Sequence, residues 1–216
     1  LEFRRVLFRS VEREINYHNN VLENQNMRML GDLVSYDARP GYETEFIKLG
    51  LGEATISGTL DADRQINIST FTVKDGGFVL DKNIVLNSYF SLDGQNAYLK
   101  INEDAGVKNN VIDIYSGDLI MFDENCISSA TAINFYNTET STEAFSKFHT
   151  MSTTTISNDT IAGNINIAGN IEFVSDATTT AKLNKFNFAA GNNLSIVKSG
   201  EGTFIADKDS GNFNVS

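Results

Sequence analysis

The run ISNDTIAGNINIAGNIEFV, residues 156–174, constrains the fold of this chain more than any other stretch. Asn164, Asn166 and Asn170 alternate with Ile165, Ile167 and Ile171, and the pairs Ala162-Gly163 and Ala168-Gly169 interrupt the alternation. A period of two puts isoleucine on one face of an extended strand and asparagine on the other. The Gly-Asn pairs supply positive-φ positions at which very short strands can bend. Short strands that bend this often belong to a β-solenoid or to an extended antiparallel sheet.

From about Leu49 onward the same grammar fills the chain, which predicts an all-β protein. Strands are expected at 54–60, 66–73, 77–80, 84–92, 97–102, 111–115, 118–123 and 132–136, then at 153–157, 161–167, 171–175, 183–189, 194–198, 203–206 and 212–215. Asp75-Gly76-Gly77, Asp93-Gly94, Gly117 and Gly191-Asn192 punctuate them. Such spacing also suits a sandwich or barrel. Two details favour the solenoid. Inward positions are Ile, Val, Leu and Phe, whereas flanking positions are Asn, Ser and Thr, the residues that form stacked side-chain ladders. The strands also group into units of about twenty to twenty-five residues, none able to bury its own apolar row without a neighbour. A single proline, Pro40, is compatible with long continuous pairing.

The first residues read differently. Segment 1–10, LEFRRVLFRS, carries Arg4, Arg5 and Arg9, contains neither Asn nor Gly, and resembles translated sequencing-adapter sequence. It is set aside from fold reasoning as non-native. Segment 11–48 is an irregular or partly helical lead-in. Val11, Ile15, His18, Leu22, Met29 and Leu33 could line one stripe of a short helix near the N-terminus, while Asn16, Asn19, Asn20, Asn24 and Asn26 disfavour it. A turn at 37–41 around Pro40-Gly41 is the best internal boundary, and 49–216 forms the solenoid. At 138–155 the strand rhythm breaks. Ala144, Phe145 and Phe148 would make one helical turn in a loop bulging from the rod.

Little in the chain points to catalysis. A net charge of -11 argues against nucleic-acid binding, which needs a basic face. Cys126 is the only cysteine, so it has no internal disulfide partner and, with only His18 and His149, makes no zinc site. No apolar run is long enough to span a bilayer as a helix. Ser57-Gly58 and Ser116-Gly117 read as turns rather than nucleophile elbows. Asp61 with Asp63, or Asp113, Asp118 and Asp123 on stacked strands, could serve as paired carboxylates, but solvated turns explain them more simply. Asp207, Asp209 and Gly211 only partly match a calcium loop. Asn-x-Ser/Thr triplets at Asn67, Asn158, Asn193 and Asn214 are what this composition produces by chance. Phe71, Phe78, Phe173, Phe186, Phe188 and Phe204 read as core, which leaves Tyr89, Tyr98 and Tyr115 as candidates for a carbohydrate platform. No residue is assigned a catalytic, cofactor-binding or metal-binding role, and no cofactor is expected.

Residues 153–216, with their Asn/Gly/Thr-rich short strands, scarce cysteine and acidic balance, resemble the passenger of a bacterial type V autotransporter. The resemblance covers about 49–216 and is compositional. It implies a right-handed parallel β-helix displayed outside a Gram-negative outer membrane, non-catalytic and adhesive, with an extracellular protein or glycan ligand. It also implies a signal peptide and a C-terminal translocator barrel in the complete protein. Polysaccharide-degrading β-helix enzymes and glycan-binding phage tail spikes share the same grammar and form the alternative.

Overall fold

The computed structural model describes residues 44–57, 64–82, 84–86, 88–107, 111–127, 131–137, 145–156, 165–183, 187–188 and 194–206, and the backbone of short strand segments before them. The chain is a parallel β-solenoid. In a first ladder, Ile15–Asn20, Thr44–Leu49, Thr70–Val73, the start of Tyr89–Ile101, the start of Val111–Met121, Ala132–Phe135, Ile165–Ile167 and Asn187–Phe188 pair in succession, all parallel. A second ladder runs through Glu2–Phe3, Met27–Met29, Glu53–Ile56, Gly77–Leu80, the ends of the same two long strands, Ser146–Thr150, Ile171–Ser175 and Ile196–Ser199. The third side is built from Val6–Phe8, Leu33–Ser35, Arg64–Asn67, Ile84–Leu86 and Gly106–Val107, and later from Thr154–Ile156, Thr180–Leu183 and Thr203–Ala206.

Period-two alternation sends every second side chain inward, and parallel register stacks like on like. One inward column of the first ladder runs Phe46, Phe71, Phe90, Ile112, Ile133, Ile165. The Phe46 and Phe71 rings lie 4.6 Å apart and those of Phe71 and Phe90 5.3 Å apart, all stacked. The second ladder contributes Ala54, Phe78, Leu99, Leu119, Phe148 and Phe173 to the same dry interior. Ile84, Leu86, Val107 and Ile127 close it from the third side.

Corners account for most strand boundaries. Segments 66–73 and 84–92 read as single strands in the sequence, but each is bent. Between their halves Ser88, itself buried, accepts a hydrogen bond from the Ile68 N–H at 3.0 Å. Gly50, Gly76, Gly117 and Gly200 take positive φ at corners, as bending requires. Gly169 of the Ala-Gly-Asn pair does not. A Cβ there would fall 2.1 Å from the Asn137 carbonyl oxygen, so close backbone approach is what demands glycine.

Two expectations are corrected. The short helix near the N-terminus is absent from the described residues: Ile15–Asn20, Met27–Met29 and Leu33–Ser35 are strands. Six residues of the asparagine-rich segment pair in register with Thr44–Leu49, satisfying backbone groups that poor helix formers would leave costly. The lead-in and the body therefore share ladders, and the 48/49 division falls inside one strand. The expected bulge is also part of the stack from Ser146 onward, because Phe148 alternates inward between Leu119 and Phe173; residues 138–144 lie outside the described residues. Glu2–Phe3 and Val6–Phe8 of the segment set aside as non-native pair with the next rung. The turn at 37–41, the expected strand 212–215, Asp61, Asp63, Asp207 and Asp209 also lie outside the described residues.

Two polar intrusions into the core yield predictions. Ser146, Thr150 and Ser175 are buried and their hydroxyls meet no protein hydrogen-bond partner. Thr150→Val keeps the shape and removes a desolvated hydroxyl, so it should raise stability by about 1 kcal/mol in equilibrium denaturation. Lys48 occupies an inward position in register with Val73, and its Nζ donates to the carbonyls of Gly50 at 2.5 Å and Asp75 at 2.7 Å. Burial lowers its pKa from 10.5 to about 8, against the upward pull of Asp75. Between those two values the unfolded chain holds the proton more tightly, so stability should rise with pH across that window. Lys48→Met should flatten the rise when unfolding is measured at both ends of it.

Candidate functional site

Outward positions of the first ladder form a polar row. Thr72, Ser91, Asp113, Asn134 and Asn166 follow one another in register. Ser91 Oγ donates to Thr72 Oγ1 at 3.0 Å. Asn134 Nδ2 donates to Asp113 Oδ1 at 2.7 Å, and Asn166 Nδ2 to Asn134 Oδ1 at 2.6 Å. The period of the stack thus converts scattered polar residues into a continuous side-chain ladder.

Aromatic side chains flank this row on the same face. Tyr89 lies two residues before Ser91, Tyr115 two after Asp113, and Tyr136 two after Asn134. Even spacing turns all of them outward. They are 36%, 46% and 38% exposed, whereas Asp113 and Asn134 beneath them are buried. The rings of Tyr115 and Tyr136 stack, with centroids 5.4 Å apart and planes 23° from parallel. Tyr89 reaches across one rung to donate its hydroxyl to Asp113 Oδ2. Burial, then the hydrogen bond and charge of Asp113, hold the Tyr89 phenol above the usual tyrosine range, with a smaller push from Tyr115. Tyr136 is shifted the same way by burial, Asp113 and Tyr115. The result is an aromatic shelf fixed over hydrogen-bonding carboxylate and amide groups.

The other expected residues lie elsewhere. Tyr98 is on the second ladder, where its ring crosses Gly77 and its hydroxyl donates to Glu53 Oε2 at 2.7 Å. A Cβ on Gly77 would sit 2.1 Å from that ring, so glycine makes the crossing possible. Asp113 and Asp118 face different sides, separated by the corner at Ser116-Gly117. Asp123 caps the short 3-10 turn Glu124–Cys126, accepting from Asn125 N at 2.9 Å. Asp118 joins Lys147 and Glu172 in an outward row of the second ladder, with Lys147 Nζ 3.9 Å from its Oδ2. Burial raises the Asp118 pKa and Glu172 adds to the rise, while Lys147 and His149 oppose it. His149 Nε2 lies 2.8 Å from Asp176 Oδ1 at the surface, whereas Cys126 is buried and burial pushes its thiol pKa up. Among the described residues no group of three or more His, Cys, Asp or Glu is placed to hold a metal.

Tyr136 is the site residue that reading the sequence missed. Its signal was present: Asp113-Ile-Tyr115 and Asn134-Phe-Tyr136 repeat a polar, apolar, tyrosine pattern one coil apart. Fold and site together define a parallel β-solenoid with a solvent-facing tyrosine shelf on an Asp/Asn ladder. The chain matches no protein-family model, no curated protein and no solved structure.

Asp113→Ala should cost about 1–3 kcal/mol, because it leaves the Asn134 amide and the Tyr89 hydroxyl without their acceptor. Asp113→Asn should cost less and return the Tyr89 phenol toward its ordinary pKa, read by ultraviolet titration of the tyrosines against Tyr89→Phe.

Proposed function

We propose that this chain is a non-catalytic rod of the adhesin type, exported and displayed at a cell surface, which engages an extracellular ligand through the first-ladder face. The observation that carries this reading is the Tyr115–Tyr136 stack, exposed to solvent above the Asp113–Asn134–Asn166 ladder. Each ring is held by the backbone register of its rung, so little conformational freedom is left to lose on binding. Large, rigid aromatic surface beside fixed polar groups is the composition of a recognition patch. The net charge of -11 makes a phosphate-rich partner unfavourable. Export, an outer-membrane location and a translocator barrel in the full protein are supported by the compositional resemblance to autotransporter passengers.

A glycan-degrading enzyme is the competing reading, and Asp118 is what favours it. Its carboxyl has a raised pKa, and Glu172 stands two rungs away in the same row. Two strand spacings, about 9.6 Å, approach the separation of an inverting acid–base pair. Lys147 stands in register between the two carboxylates, where the attacking water would have to be. That weighs against hydrolysis.

Beads coated with the chain should be retained on epithelial monolayers, and Tyr115→Ser with Tyr136→Ser should abolish retention while circular dichroism stays unchanged. Undiminished retention of the double variant would overturn the assignment of the face. Release of reducing sugar from a polysaccharide panel, lost in Asp118→Asn, would overturn the non-catalytic reading.

A further inference from the structure

We infer that the ledge where Tyr136 overhangs Ala168 seats the ring of a neutral pyranose. This rests on the reading of the first-ladder face as the binding face and names what it binds. Tyr136 and Ala168 occupy equivalent places on successive rungs: Tyr136 N donates to Ile114 O at 2.8 Å, and Ala168 N donates to Phe135 O at 2.8 Å. One face of the Tyr136 ring is covered by Tyr115. In the direction of the next rung the stack drops from a phenol to a methyl group. Rungs are about 4.8 Å apart, close to the thickness of a saturated six-membered ring. A pyranose therefore fits where a third tyrosine would continue the stack.

The chemistry of the surroundings matches such a guest. A pyranose has a C–H face that packs on an aromatic face and a rim of hydroxyls that needs hydrogen-bonding partners. Tyr136 supplies the first, and the Asn166 amide, two residues before Ala168 on the same outward row, stands beside the ledge for the second. The hydrogen bond to Asn134 fixes how that amide is turned. Charge narrows the class further. Asp113 lies under the tyrosines and the chain carries -11 overall, so uronic or sialic acids and nucleotides meet repulsion.

Saturation-transfer NMR on the intact chain tests this with methyl β-galactopyranoside, methyl β-glucopyranoside and methyl β-glucuronide. At least one neutral glycoside should receive saturation, strongest at its C–H face, and the glucuronide none. Tyr136→Ala should weaken binding about tenfold or more. Ala168→Phe should abolish it by continuing the ring stack into the sugar's place, with the melting temperature unchanged or higher. No saturation of either neutral glycoside, equal saturation in Ala168→Phe, or preferential binding of the glucuronide would overturn the inference. If cell retention depends on Tyr115 and Tyr136 but survives deglycosylation of the monolayer, the sugar is wrong and the binding face stands. If retention ignores both tyrosines, the face and the sugar fall together.

Discussion

Parallel backbone pairing at a fixed rung spacing is the constraint on which everything else in this molecule depends. Each coil hydrogen-bonds to the one before and the one after, so the position of every side chain along the rod axis is set by backbone geometry. Inside, that repetition stacks Phe46 on Phe71 on Phe90 and fills the interior without a conventional hydrophobic centre. Outside, the same repetition aligns Asp113, Asn134 and Asn166 into hydrogen-bonding distance. One mechanism produces both the core and the outward polar ladder.

The stack tolerates polar side chains inside when the corner can satisfy them. Lys48 points inward yet reaches two carbonyls near the bend, one of them made accessible by the positive φ of Gly50. Ser146, Thr150 and Ser175 have no such rescue from the protein. Irregular coil lengths have a similar explanation. Register partners are separated by as few as 19 residues, as between Phe71 and Phe90, and by as many as 33, as between Leu33 and Ile66. Extra residues are accommodated between rungs because only the paired segments must keep register.

The tyrosine face spans an interruption in that regularity. Tyr115 sits at the register shift where Ile114 pairs with Leu92 and Ser116 with Asp93. Its even spacing from Asp113 still turns the Tyr115 ring outward. Tyr115 then stacks on Tyr136, and the series ends at Ala168. Repetition makes the platform, and loss of repetition makes the ledge.

By itself the sequence determined the all-β class, the inward Ile/Phe/Val positions, most strand centres and the asparagine ladder, because alternation of period two is a local property of the chain. It misled at Ile15–Asn20, Met27–Met29, Leu33–Ser35 and Ser146–Thr150, where helix-compatible spacing of a few apolar residues coexisted with strand pairing that only distant partners provide. Corners inside 66–73 and 84–92 were also hidden, since Ser88 acts through a residue twenty positions away. For the site, Tyr89 and Tyr115 were legible as candidates, but nothing local separates them from Tyr98, which tertiary structure ties to Glu53 on another face. Register alone decided that Tyr136 completes the stack and Ala168 ends it. Which residues become neighbours along the axis depends on how many residues each coil contains, and that number is settled only when the coils pack.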